Sequence, residues 1–228
     1  MGRFQIITTA ERILRDLKRD PWTVRLFVAL VAFDVFFVSI SIAKAFELVS
    51  FNKGAGNVII ACQLALVALI LLYGWWNRLN TALASLALVA TVLALEKTFK
   101  FHLWLAYTVL RGAGLPVGTL VAGPMYYLLI GTLCVAILAL GWRHSDTEGR
   151  AAILVVSVAF AVTAGTSVAA DELSLFLGYL TPLPESVLSR GEQGLELLTS
   201  SALLALTFGV VRAEWLRRSI EVPETPRA

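Results

Sequence analysis

The chain has 228 residues, of which 58% are hydrophobic and only 15% are charged. Soluble domains carry about 25% charged residues, so this composition excludes an ordinary soluble protein and indicates one that contacts a lipid bilayer. The formal net charge is only +3. Because the basic residues lie beside apolar segments, we interpret them as an orientation signal and expect no nucleic-acid partner.

The N-terminal segment is amphipathic. Its apolar residues recur at helical spacing and basic residues lie between them. We therefore expect residues 1–21 to form an interfacial helix on the inner leaflet of the membrane. The alternative is a docking segment for a cytoplasmic partner. The apolar residues are Ile6, Ala10, Ile13, Leu14 and Leu17, and the basic ones are Arg12, Arg15, Lys18 and Arg19.

Six long apolar runs follow. A bilayer core of about 30 Å requires about 20 mostly apolar residues per helix, and continuous runs of this length indicate helices rather than the alternating strands of a membrane barrel. We predict an all-α polytopic integral membrane protein, with six transmembrane helices in residues 22–212 and a cytoplasmic tail in residues 213–228. The runs cover residues 24–46, 58–76, 81–104, 123–142, 151–170 and 195–211.

The basic residues predict the orientation of the bundle. With the N-terminus on the cytoplasmic side, thirteen of the nineteen Lys and Arg residues fall on that side, as expected for cytoplasmic flanks. We therefore predict a bacterial-type inner membrane protein with both termini in the cytoplasm. The six basic residues on the other side are Lys44, Lys53, Lys97, Lys100, Arg111 and Arg190.

The connection between the fifth and sixth runs is unusually apolar. It contains Pro182 and Pro184, which interrupt helices. We expect a short interfacial or re-entrant element there that partly covers the outer side of the bundle.

Several charged residues lie within or beside the apolar runs, where charges are costly and usually face the bundle interior. Helical phase places most of them on polar faces, so we expect spans one, three, five and six to surround a charged pocket open to the outside. Spans two and four serve mainly as scaffold. The candidate pocket residues are Asp34, Glu96, Lys97, Lys100, Asp171, Glu172, Glu192 and Glu196.

Glu192 and Glu196 lie near the predicted start of the sixth span. The helix dipole and the unpaired N–H groups of a first turn favour anions. The same face of the helix can meet Lys97, Lys100 or Arg190. We expect one or both effects to stabilise the two carboxylates.

The pocket admits three functional interpretations. In the first it binds or passes a cation, a proton or a small polar solute. In the second the charges form an ion network that holds the helices in register, and the protein is a non-catalytic structural or accessory membrane subunit, alone, as a homo-oligomer or in a larger complex. The third, an intramembrane metal-dependent hydrolase, is disfavoured because His102 and His144 fall on opposite sides. We expect no cofactor and no catalytic residue.

Overall fold

The computed structural model describes residues 2–45, 55–77, 79–99, 101, 119–180 and 185–221. This part of the chain contains seven helices and no strand. They are α1 (Gly2–Arg19), α2 (Pro21–Ala45), α3 (Ala55–Trp76), α4 (Ala82–Phe99), α5 (Thr119–Arg143), α6 (Thr147–Leu180) and α7 (Glu185–Glu221).

Helices α2 to α7 are each long and apolar enough to cross a membrane. The prediction of a six-helix membrane bundle is therefore confirmed. The helices run alternately between two ends of the bundle. We call the end that carries α1 and the end of α7 the terminal end, and the other the opposite end.

The last two helices are longer than predicted. They contain 34 and 37 residues, or about 51 and 56 Å at 1.5 Å per residue. In the described residues the predicted interfacial element does not form a separate helix, because α6 continues to Leu180 and α7 begins at Glu185. The leucine-rich sequence at the end of α6 favours helix, so this helix continues until shortly before the prolines. Pro182 and Pro184 lie between the two helices, outside the described residues.

Helix α7 is the centre of the bundle. In its apolar window 67% of the residues are buried, compared with 6% in α5. It packs against α2, α3 and α6, and Leu197 and Leu203 are among its fully buried side chains. A polar residue on α7 is therefore presented to other helices, whereas one on α5 mostly faces the surroundings of the bundle.

Helix α1 packs against the bundle at the terminal end. Ile6 and Ala10 contact a small core formed with Ala151 and Val155 of α6. Phe4 and Ile7 are 77% and 52% exposed. The helix thus buries one apolar stripe in protein and leaves a neighbouring apolar stripe free, as an interfacial helix requires.

Candidate functional site

A buried polar cluster lies where α2, α3 and α7 meet. It consists of Asp34, Gln63, Ser200 and Ser201, which we call the Asp34 cluster. Gln63 donates a hydrogen bond of 2.8 Å from Nε2 to Oγ of Ser201. Ser200 donates to Oε1 of Gln63 and, at 3.0 Å, to the carbonyl of Leu197. The amide of Gln63 therefore joins both serines of α7 to α3.

Asp34 faces this network without joining it by a normal hydrogen bond. Its side chain is 0% exposed, and in the described part of the chain neither of its carboxylate oxygens has a hydrogen-bond partner. The side chains of Gln63 and Ser201 lie beside it and are placed to donate hydrogen bonds to it. No described Lys or Arg forms a salt bridge with Asp34. The carboxyl group lies near the middle of the span Pro21–Ala43, where an uncompensated charge is most expensive.

Ser41 extends the polar face of α2 toward the opposite end. It lies two helical turns beyond Asp34, is 3% exposed, and its hydroxyl has no partner among the described residues. Asp34 and Ser41 thus share a face of α2 that is directed into the bundle.

A second cluster surrounds Glu196 and contains Lys97 and Ser167, and we call it the Glu196 cluster. Lys97 donates from Nζ to both carboxylate oxygens of Glu196, at 2.6 and 2.7 Å. Ser167 of α6 donates to Oε1. The side chain of Glu196 is 5% exposed and that of Lys97 is 26% exposed. This carboxylate therefore has a counter-charge and a hydroxyl donor, unlike Asp34.

The prediction that the N-terminus of the helix stabilises the carboxylate of Glu196 is wrong. Because α7 begins at Glu185, Glu196 lies about three turns inside the helix, whereas the dipole effect falls off within the first turn. Glu192 lies about two turns inside, so the correction applies to it as well. Lys97 and Ser167 stabilise Glu196 instead.

The other candidate residues lie in different places. Glu96 accepts a hydrogen bond from the hydroxyl of Tyr126, so it contacts α5. Glu192 is half-buried, one turn before Glu196. Asp171 and Glu172 belong to α6, but their side chains lie outside the described residues, as does all of Lys100.

The two clusters are consecutive along α7. Glu196 and Ser200 are one helical turn apart, a rise of about 6 Å. Thr163 adds a hydrogen bond of 3.4 Å from α6 to the carbonyl of Thr199. Toward the terminal end, Leu203 and Leu204 follow at 1% and 4% exposure. Polar groups therefore run from the Glu196 cluster to Asp34 and stop at an apolar layer.

Gln63 was missed as a site residue, because span two was expected to serve as scaffold. Its signal in the sequence is an amide in the middle of the otherwise apolar run of α3. Ser201 was missed because it lies on the far side of α7 from Glu196. The adjacent pair Ser200 and Ser201 in a run of apolar residues is the corresponding signal.

The chemistry of the Asp34 cluster is that of hard oxygen donors. It offers one carboxylate, two hydroxyls and one amide oxygen, a set that suits protons and alkali or alkaline-earth cations better than transition metals. Among the described residues, no group of three His, Cys, Asp or Glu side chains could hold a metal ion. A single carboxylate balances one positive charge.

Comparison with known proteins gives no relative: no family model matches the chain, no curated protein matches its sequence, and no solved structure matches its fold.

Proposed function

We propose that this membrane protein binds a proton or a small monovalent cation at Asp34. The observation that carries the proposal is a fully buried carboxylate with no counter-charge among the described residues, near the middle of a membrane span. A bare carboxylate there costs several kcal/mol. It is stable only when protonated or when a cation neutralises it, so the site takes up one positive charge.

The surroundings of Asp34 favour a singly charged ligand. Gln63, Ser200 and Ser201 are neutral, so they supply dipoles and no further charge. A divalent cation would leave one positive charge uncompensated, and a large solute would need to displace packed helices. Of the cations, protons and small polar solutes that the sequence allowed, we therefore favour protons and monovalent cations.

The route to Asp34 starts at the opposite end, where the Glu196 cluster lies. Lys97 neutralises Glu196 as a covalently attached cation would. Of the two side chains, that of Lys97 is the more accessible to solvent, at 26% exposure. An ion or proton arriving there meets Glu196, Ser200 and Gln63 before Asp34. In the proposed orientation, with both termini in the cytoplasm of a bacterial-type cell, this route opens to the outside.

The test is the melting temperature of the detergent-purified protein in Li⁺, Na⁺, K⁺ and Mg²⁺ salts across mildly acidic to mildly alkaline pH. N-methylglucamine chloride controls for ionic strength. The variants are Asp34→Asn, which keeps shape and removes titration, and Asp16→Asn, the same change at an exposed position of α1. Ligand at ten times its Kd stabilises the wild type by about 1.4 kcal/mol.

We expect a monovalent cation or acidification to stabilise the wild type and Asp16→Asn, and to leave Asp34→Asn unchanged. Asp34→Asn itself should be at least as stable as the ligand-free wild type, because it removes an unpaired buried charge. The proposal fails when wild type and Asp34→Asn respond equally, or when neither responds to any cation or to pH.

A structural subunit is the second candidate, and the Glu196 cluster favours it. Lys97, Ser167 and Glu196 come from three helices, and both Lys97 and Ser167 donate hydrogen bonds to Glu196, which is the pattern of a registry-fixing ion network. On this view Asp34→Asn lowers the melting temperature, and no cation shifts either protein.

A further inference from the structure

At the terminal end, two arginine side chains from different helices converge on one indole ring. The guanidinium carbon of Arg25 lies 5.6 Å from the ring centroid of Trp22, and that of Arg212 lies 5.8 Å from it. Trp is the strongest cation–π partner among the aromatic side chains. The ring therefore holds two positive groups near each other, which would otherwise repel.

The chain around Asp20 fixes this arrangement. Asp20 precedes α2 and accepts hydrogen bonds at Oδ2 from the amide and the hydroxyl of Thr23, at 2.9 and 2.7 Å, as an N-cap does. Its Oδ1 accepts from Nε of Arg212 at 3.3 Å. Burial would raise the pKa of Asp20, but the bonds from Thr23 and Arg212 hold it below the ordinary value of 3.8. Asp20 is thus ionised at neutral pH.

One carboxylate, that of Asp20, faces the two guanidinium groups of Arg25 and Arg212, so these three side chains together keep a net positive charge. Asp20 forms a salt bridge with Nε of Arg212. Within the described residues, no carboxylate forms a salt bridge with Arg25, and Arg212 forms one with Asp20 alone. Guanidinium groups with free N–H donors bind phosphate oxygens through paired hydrogen bonds.

The position of Trp22 and Arg25 along the membrane span indicates whether the phosphate is free or part of a lipid. Trp22 and Arg25 belong to the first turn or two of the span that begins at Pro21, and Trp22 is 55% exposed. Tryptophan at the edge of a span lies at the level of lipid headgroups. A phosphate that reaches this position belongs to a phospholipid.

The adjoining surface of α2 fits an acyl chain. Below Trp22 and Arg25, at helical spacing, Ala29 and Ala32 form a shallow exposed strip. Phe33 and Phe36 follow on the next turn of the helix and are 47% and 63% exposed. This exposed apolar face continues from the arginines toward the middle of the span, so an acyl chain can lie along it.

We infer that Trp22, Arg25 and Arg212 form a binding site for the phosphate of an anionic phospholipid, with one acyl chain along the Ala29 and Ala32 face of α2. Basic sites between membrane helices bind anionic headgroups by the same physics. The phosphate-binding residues Trp22 and Arg25 lie about 18 and 14 Å from the level of Asp34 along α2, and the inference does not depend on the proposed ion binding.

The experiment measures lipid affinity of the purified full chain by titrating phosphatidylglycerol into dodecyl maltoside micelles and recording the melting temperature. Phosphatidylcholine and inorganic phosphate are titrated in parallel. The variants are Arg25→Gln and Trp22→Leu, with Arg143→Gln as the matched control, because Arg143 is an exposed arginine at the same end of the bundle.

We expect Arg25→Gln to weaken phosphatidylglycerol binding about fivefold relative to Arg143→Gln, the effect of one well-placed basic residue. Trp22→Leu should weaken it as well, since the guanidinium groups lose their shared ring. Phosphatidylcholine should bind more weakly than phosphatidylglycerol, and inorganic phosphate should not shift the melting temperature.

Three results overturn the inference. Equal losses in Arg25→Gln and Arg143→Gln would indicate diffuse attraction to the whole basic end. Equal binding of phosphatidylcholine would indicate recognition of acyl chains alone. Stabilisation by inorganic phosphate, lost in Arg25→Gln, would make this a site for free anions.

Discussion

The carboxylates of Asp34 and Glu196 show how the surroundings of one residue decide its chemistry. Both are almost completely excluded from solvent, at 0% and 4% exposure. Glu196 receives a lysine and a serine, so its charge is compensated in place. Among the described residues Asp34 faces only neutral groups, so the same charge can form there only when an ion or proton is exchanged. We therefore propose a binding role for Asp34 and a stabilising role for Glu196.

The pair Lys97 and Glu196 predicts a strong thermodynamic coupling. Removing one partner of a buried pair costs about 3–5 kcal/mol, and we expect the lower part of this range because Lys97 is 26% exposed. Lys97→Gln should lower the melting temperature more than Glu196→Gln, since it leaves the more buried charge without a partner. The double variant should recover part of the loss.

A double-mutant cycle of unfolding free energies checks this coupling, with Lys18→Gln as the exposed control. We expect an interaction energy of at least about 1 kcal/mol. Additive losses, with no recovery in the double variant, would show that the two side chains do not stabilise each other and would remove the structural role of the cluster.

The sequence was sufficient to identify the buried carboxylates, but it could not predict how their surroundings differ. Charges in apolar runs are visible in the chain, and helical phase directed Asp34, Glu96 and Glu196 inward. The partner of Glu196 was narrowed to three basic residues. Three features depend on which helices are neighbours and how each is rotated. Lys97 reaches Glu196, Glu96 contacts Tyr126, and Asp34 has no counter-charge within the part of the chain that the structure describes.

At the scale of elements, α7 organises the bundle because it is the longest and most buried helix. It carries residues of both clusters, namely Glu196, Ser200 and Ser201, and near its end Arg212 of the proposed lipid site. Its close approach to the α1–α2 junction occurs at Gly209. A Cβ atom added there would lie 2.7 Å from Oγ1 of Thr23 and closer still to Leu17.

This packing predicts that Gly209→Ala destabilises the protein although alanine favours helices. Overpacking costs about 1–3 kcal/mol, more than the ~1 kcal/mol that alanine gains over glycine in a helix. Gly131→Ala on α5 is the control, because a Cβ there meets nothing within 4 Å. Melting temperatures should fall for the first and stay equal or rise for the second. A rise in both would contradict the close packing at Gly209.

The number and type of elements followed from length and hydropathy, whereas their ends did not. Six apolar runs gave six spans, but α7 begins ten residues before the predicted start because Ser189 to Gly194 are polar yet compatible with a helix. Hydropathy identifies the part of a helix that contacts lipid. It does not identify the part of the same helix that continues beyond the lipid. The error displaced the start of the helix and produced the mistaken dipole argument for Glu196.

In the whole molecule, polar groups are distributed unevenly along the bundle axis. From the opposite end, the Glu196 cluster is followed by the Asp34 cluster and then by the apolar layer of Leu203 and Leu204. At the terminal end, Arg12 and Arg217 pair with Glu148 and join α1 to α6 and α7. The bundle is thus polar inside from one end to its middle, and closed by leucines and an ion network at the other.

The most direct test of this account is infrared difference spectroscopy of the purified protein, recording the carbonyl stretch of protonated carboxylic acids while pH or monovalent cation concentration is changed. The account predicts a band in the wild type that disappears on alkalinisation or cation binding, is absent in Asp34→Asn, and is retained in Asp16→Asn. A wild-type spectrum in which no such band responds to pH or cation, or a responsive band that persists in Asp34→Asn, would contradict the assignment of Asp34 as the exchanging site.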